Sequence, residues 1–400
     1  MTEIFWLSVA VVTYVYVGYP ALLRLWARLR PKPYASSLAP VRGGVSIVIA
    51  ARDEGARLAA RIDNLLSLRC PSGRRQIIVV CDGCTDDTDE VLARYADVVE
   101  AVRLRPSGKA LSLNAGVARA RFDIVVFADA RQVFAPDALR ELVAPFEDPT
   151  VGAVTGELLL DCESALFSNR RATADRRRGH VSQLQAVAME RRIHPDRRRT
   201  ILSTIADGVG YYWRYEKQLR RLESCIGSTL GATGAIYAMR RALWRPLPAD
   251  TLLDDVLAPM RVVMAGFRVV FNERARAFDR ATVDADTESR RKIRTLAGNY
   301  QILRLEPALL LPWRNPVWLQ YVSHKLGRLL VPYAMLAIFS ASILLSGHAF
   351  YRAALGVQVA FYLLAGYGAV LELTSREQAP VPRSTRSRAG STRNAAREVA

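Results

Sequence analysis

The chain has 400 residues, with 56 Lys plus Arg against 38 Asp plus Glu, a formal net charge of +18. That length suits one large domain plus accessories rather than one small domain, and a hydrophobic share of 50% excludes a globally disordered chain. The excess charge is mostly Arg, because Lys stands only at positions 32, 109, 217, 292 and 325; it admits nucleic acid, an anionic membrane surface or an acidic substrate and does not choose among them.

The first element is an apolar run from Ile4 to Leu23, about long enough to cross a bilayer. No Lys or Arg precedes it, while Arg24, Arg28, Arg30 and Lys32 follow. A cleavable leader carries its positive charge before the apolar run. The charge bias therefore predicts a transmembrane helix over residues 4–23, with its N-terminus outside and the following chain in the cytoplasm.

From residue 42 the pattern alternates between short apolar runs and helix-like stretches. Gly44–Ala50, Gln76–Cys81, Val98–Leu104 and Asp123–Ala128 read as strands. Helices are expected over Glu54–Leu68, Thr85–Tyr95 with Thr85 as cap, and Ala110–Arg119. Continuous apolar strands joined by helical crossovers imply an α/β body with a mostly parallel sheet covered on both faces. Ligands of such sheets sit beyond the carboxyl ends of the strands, which draws attention to Arg52–Glu54, Asp82–Asp87 and Asp129–Arg131. All three places carry acids, which suit ribose or base hydrogen bonds and a hard cation on phosphates. Ser107-Gly108-Lys109-Ala110 lacks the remaining residues of a phosphate-cradling loop, and no GxGxxG follows the first strand. Five Cys, an odd number, argue against a disulfide framework and for a reducing compartment. Cys81 and Cys84 form a CxxC without a second Cys or His pair nearby, so zinc is set aside.

Residues 170–199 hold ten Arg and few large apolar residues. They read as an inserted loop on an anionic leaflet rather than an RNA-binding arm, which would interleave aromatics. Tyr211 to Tyr215 is an aromatic cluster that suits either an acceptor site or a membrane interface. Near the C-terminus, Trp313–Lys325 reads as an interfacial helix, and Leu329–Ser346 and Ala353–Leu373 as two further spans within 313–373. The Arg-, Ser- and Pro-rich tail over 374–400 is expected to be disordered.

Seven segments, in order, resemble the membrane-embedded family-2 glycosyltransferases. They are VSIVIAARDE (Val45–Glu54), DGCTDDT (Asp82–Thr88), SGKALSLNAG (Ser107–Gly116), FADAR (Phe127–Arg131), GATGAIYAMR (Gly231–Arg240), LDDVLAPMR (Leu253–Arg261) and RKIRTLAGNYQ (Arg291–Gln301). The resemblance covers residues 42–301 and implies a GT-A fold with a nucleotide-sugar donor. It places Asp82 on the uracil of a UDP-sugar, Lys109 on the nucleotide diphosphate and Glu54 in the donor pocket wall. Asp129 would contact the donor and a Mg²⁺ or Mn²⁺ ion. The acid that the family carries two residues later is replaced by Arg131, which fits direct pairing with phosphate, a reduced need for metal, or lost activity. Asp255 is the candidate general base, preferred over Asp254 because Arg261 falls at the family's spacing from it. Arg291 and Arg294 occupy the Gln and Arg places of QxxRW, and Arg294 suits the leaving diphosphate. Thr295 replaces the Trp, which puts chain lengthening in question.

The expected protein is therefore a multi-pass enzyme of the bacterial cytoplasmic membrane. Its cytoplasmic GT-A domain would move a hexose or N-acetylhexosamine, with inversion, to a lipid-linked or polysaccharide acceptor. Membrane lipids are expected partners and nucleic acid is not; a membrane partner protein could supply further helices. Two rivals stand beside this reading: a catalytically weakened nucleotide-sugar-binding relative, and a membrane-tethered basic protein that binds nucleic acid.

Overall fold

The computed structural model describes residues 1–35, 43–70, 73–161, 203–280 and 285–377. The Arg-rich stretch 170–199 and the tail beyond 377 lie outside them. The chain divides into two compact units, Val11–Pro332 and a smaller one made of Met1–Ala10 with Tyr333–Ala400.

The large unit is built on one eight-stranded sheet in the order β3-β2-β1-β4-β7-β6-β8-β5. Strands β1 (Val45–Ala51), β2 (Arg75–Asp82), β3 (Val99–Leu104) and β4 (Ile124–Ala128) are the four predicted ones. They pair in parallel, with Val45 opposite both Arg75 and Ile124. The remaining strands are β5 (Val133–Phe134), β6 (Val151–Asp161), β7 (Ile236–Arg240) and β8 (Arg268–Arg280). Here the sheet turns mixed: β7 runs antiparallel to β4 and β6, while β8 runs parallel to β6.

Period-two alternation explains how one sheet serves two cores. Ile47, Ile49, Ile77 and Val79 pack on Leu58, Ile62 and Leu65 of α3 (Gly55–Ser67). Val48, Ile78 and Val80 point the other way, onto Leu113 and Val117 of α5 (Lys109–Arg119). Each such fully buried side chain is worth about 1.5–3 kcal/mol. The intervening α4 spans Thr88–Arg94 and starts after Asp87, not Thr85. Thr85 is drawn away because its backbone N–H and hydroxyl donate to the Asp53 carboxylate.

The N-terminal apolar segment comprises α1 (Thr2–Thr13), a π-turn and α2 (Tyr19–Leu29). Helix α6 (Ala138–Val143) follows β5, and α7 spans Ser203–Ile226. Tyr19 and Leu23 of α2 pack on Leu219 and Ile226 of α7. The Tyr215 hydroxyl donates to the Tyr16 carbonyl, which turns this member of the aromatic cluster toward the N-terminal segment. Helices α8 (Asp254–Met264) and α9 (Ala285–Leu305) complete the large unit together with a winding segment from Trp318 to Leu326.

Three helical runs are long and apolar enough to cross a membrane: Thr2–Leu29, Trp318–Leu344 and Ala349–Gly368. The second begins inside the stretch 313–325 expected as an interfacial helix and continues without a break into the span expected from Leu329, with Tyr321, Ser323 and His324 buried near its start. Its last part is α10 (Gly327–Leu344); α11 (Ala349–Glu377) extends past Thr374, where the disordered tail was expected to begin. In the small unit Trp6 stacks on Phe350 at 5.6 Å and the Gln358 amide donates to the Met335 carbonyl. Cys81 and Cys84 are joined in a disulfide across the turn after β2, so the CxxC pair departs from the reduced thiols that the odd cysteine count suggested.

Candidate active site

The carboxyl ends of β1, β2 and β4 bring the predicted acids to one edge of the sheet. Asp82 ends β2 and is 4% exposed. Its carboxylate accepts hydrogen bonds from the Ser107 N–H (2.6 Å), the Ser107 hydroxyl (3.1 Å) and the Gly108 N–H (3.0 Å). It therefore clamps the loop that leads into α5. The turn after it needs Gly83, whose φ of +64° is left-handed and whose missing Cβ would lie 2.4 Å from Pro106. Glu54 stands just before α3, where its carboxylate accepts from Arg57 at 3.1 Å.

Lys109 begins α5 and reaches across the edge. Its ammonium donates to Asp129 at 3.1 Å and lies 3.5 Å from Asp254 Oδ2, within ion-pair range though without hydrogen-bond geometry. Burial pushes this ammonium down, but Asp129, Asp254 and Asp255 outweigh it and hold it above the ordinary lysine value. Asp254 is 3% exposed. Burial pushes its carboxyl up to about 6; Lys109 opposes this, while Asp255 and Asp129 add to it. The sequence motifs place these residues on separate segments, and the fold joins them into one charged cluster.

Asp255 is the adjacent residue on α8, so its side chain leaves the helix in another direction. Its Oδ2 accepts from the Gly234 N–H at 3.2 Å, and its carbonyl accepts from the Ala232 N–H at 2.7 Å. A Cβ at position 234 would sit 2.9 Å from Asp255 Oδ2, so a side chain there would push on the carboxylate. The Gly-rich segment before β7 thus approaches the carboxylate with bare backbone.

Arg294 and Gln301 of α9 act on the approach to this helix. The Arg294 guanidinium donates to the Leu252 carbonyl at 3.1 Å, and Gln301 accepts from the Leu252 N–H at 2.9 Å. The structure thus uses Arg294 to tether the loop before Asp254. Arg291 lies one turn earlier on α9, where its carbonyl accepts from the Thr295 hydroxyl at 2.8 Å. Arg131 sits half-buried in the turn after β4.

A divalent cation finds one carboxylate at the FADAR segment, Asp129, already paired with Lys109. Among the described residues no group of three or more His, Cys, Asp or Glu could hold a metal. The donor set fits a cation only if a bound diphosphate and water supply its other ligands.

Several residues escaped the sequence reading. Arg61 is buried over the Phe134 ring at 4.1 Å, and burial, opposed by Asp129, pushes its guanidinium down to about 9. The Tyr237 hydroxyl is buried without a hydrogen-bond partner, and its ring stacks on Phe127 at 4.5 Å. Beside Asp255 lies a cavity of about 160 Å³ whose wall includes Glu223, Arg220, Thr295, His324 and Lys325. Except for Thr295, which the sequence marks as the replacement of a Trp, none of these positions carried a local signal, because helical or strand periodicity alone accounts for each.

Comparison with known proteins fits this geometry. The family described as "Glycosyltransferase like family 2" matches residues 42–298. A beta-monoglucosyldiacylglycerol synthase of Nostoc sp. is 29% identical over 206 residues, covering 50% of this chain and 40% of that protein. A poly-beta-1,6-N-acetyl-D-glucosamine synthase of Staphylococcus aureus is 28% identical over 128 residues, 31% of each chain. The chain thus spans well under half the length of these curated relatives. The solved mannosyltransferase PcManGT from Pyrobaculum calidifontis, in complex with GDP-Man and Mn²⁺, superposes with a TM-score of 0.61 at 20% identity, covering 92% of this chain and 99% of that one. The fold is thus GT-A, and the family match across the whole sheet-bearing body makes this chain a member of the family-2 glycosyltransferases.

Proposed function

We propose that the protein is a membrane-bound inverting glycosyltransferase that moves a hexose or N-acetylhexosamine from a UDP-sugar to a lipid-linked or polysaccharide acceptor. The observation that carries the reading is the Lys109–Asp129–Asp254 cluster beside Asp255, at the carboxyl edge of the sheet. Asp255 takes the proton of an acceptor hydroxyl as that oxygen attacks the anomeric carbon. The bond from that carbon to the diphosphate oxygen breaks on the opposite face, and UDP leaves with the electron pair. Lys109 and Arg131 supply positive charge for the departing diphosphate, and Arg294 and Arg291 stand on the same approach. Glu54 and Asp82 shape the nucleotide end, Asp82 by fixing the Ser107–Gly108 loop. A Mg²⁺ or Mn²⁺ ion would take Asp129 and the donor's phosphate oxygens and neutralise charge there.

The acceptor class draws on the relatives: a synthase of a glucosyl lipid and a synthase of an N-acetylglucosamine polymer. The three apolar helices support a multi-pass protein. The charge that follows residue 23 supports a cytoplasmic catalytic body and an outside N-terminus. The test is UDP release from a panel of UDP-sugars by the full chain in nanodiscs, beside Asp255→Asn, with Mg²⁺, Mn²⁺ or EDTA. Release from one sugar, lost in the variant, establishes the reading; a protein that fails to bind UDP refutes it. The EDTA lane decides whether Asp129 works with a metal.

A further inference from the structure

The cavity beside Asp255 is bounded by α7, the start of α8, α9 and the Tyr321–Leu326 turn. Glu223 of α7 lies in its wall and is 1% exposed. One carboxylate oxygen is fully engaged: Oε1 accepts from the Tyr19 hydroxyl at 2.8 Å and meets His324 Nδ1 at 2.6 Å. The other, Oε2, is buried with no hydrogen-bond partner. His324 is held in turn by Glu216, 3.5 Å from its Nε2, and Glu216 pairs with Arg328. The ring and the carboxylate are therefore fixed from behind, which leaves Oε2 as the free acceptor.

The chemistry of such a wall selects its ligand. Asp255 needs one O–H to deprotonate. Glu223 Oε2 is a pure acceptor and needs a second donor. Arg220, which donates to Thr233 at 2.7 Å, and Lys325 add cationic donors for hydroxyl oxygens. An acceptor that attacks through a phosphate oxygen would bring an anion against two carboxylates and offer no proton to either. A group with two neighbouring hydroxyls satisfies both. Thr295, a small side chain on the exposed face of α9, leaves room for it.

We infer that this cavity is the acceptor subsite for a polyhydroxyl head group, glycerol-like or sugar-like, in which Glu223 Oε2 binds the hydroxyl next to the one that Asp255 activates. The inference rests on the transferase reading and names its acceptor chemistry. Glu223 is a positioning and specificity residue; the proton goes to Asp255.

The experiment uses the full chain in nanodiscs, the UDP-sugar that gives release, and four probes: 1-O-octylglycerol, octyl β-glucoside, octan-1-ol and octyl phosphate. UDP binding is measured in the same samples. The wild-type protein should use the diol and the glucoside about tenfold or more better, in kcat/KM, than the mono-alcohol or the phosphate. Glu223→Gln puts an amide donor where an acceptor is needed and should collapse that ratio to about threefold or less. A merely structural Glu223 would instead lower all four probes alike, and that result overturns the inference. So does bound UDP with no diol-dependent release, or a preference for octyl phosphate. Thr295→Trp fills the cavity from an exposed helix face and replaces none of the residues of the Tyr19–Glu223–His324 hydrogen-bond chain. It should lower use of the diol about tenfold with UDP binding retained; unchanged diol use also overturns the inference. Loss of UDP binding in the wild-type protein would strike the transferase reading itself.

Discussion

Replacing Asp254 by asparagine should make the protein relatively more stable as pH rises. Asp254 is 3% exposed, and its carboxyl titrates at about 6 rather than 3.8 because burial disfavours the charged form more than Lys109 favours it. The folded carboxyl thus keeps its proton where the unfolded one has lost it. Its contribution is fully present below the unfolded value and is lost as pH rises through about 6. The separation between the two values amounts to ~3 kcal/mol, the upper bound of the effect. Asparagine keeps the shape and never ionises. The stability of Asp254→Asn relative to wild type should therefore grow by up to ~3 kcal/mol between about pH 4 and about pH 8. For a body of this size that is about 6 °C in the unfolding midpoint. Thermal unfolding of both proteins in nanodiscs, followed by intrinsic fluorescence across this range, measures it, and the pairwise difference cancels the other carboxylates. A difference that is flat in pH, or that shrinks toward alkaline pH, would refute the reasoning.

Three further outcomes are expected. Asp255→Asn should retain UDP binding and lower transfer by about 10²–10⁴-fold, read as sugar-dependent UDP release. Gly234→Ala places a methyl 2.9 Å from Asp255 Oδ2 and disturbs its 3.2 Å hydrogen bond; kcat should fall by about 10–100-fold, with UDP affinity measured by calorimetry unchanged. Asp82→Ala frees the Ser107 and Gly108 amides; UDP affinity should weaken and the unfolding midpoint should drop, by about 1–3 kcal/mol in stability.

The reach of the sequence differs from element to element. Strands β1 to β4 were legible because each is a short apolar run bounded by turn residues, and runs of that kind bury on both faces of a parallel sheet. The mixed half was not, since β7 and β8 earn their direction from distant partners rather than local pattern. The Thr85 cap failed because the Asp53 carboxylate competes for its donors from across the turn.

The sequence alone determined the motif order, the three apolar segments and the identity of the acids at the strand ends, because these rest on local composition and near-neighbour spacing. Only the tertiary structure decided what those acids do. It closed Asp82 onto a loop, drew Lys109 between Asp129 and Asp254, and tied Arg294 to Leu252. It also brought Glu223 and His324, 101 residues apart, into one buried wall beside Asp255. Such assignments depend on which charges share a desolvated volume, and that volume exists only once the sheet, α7 and α9 have packed around it.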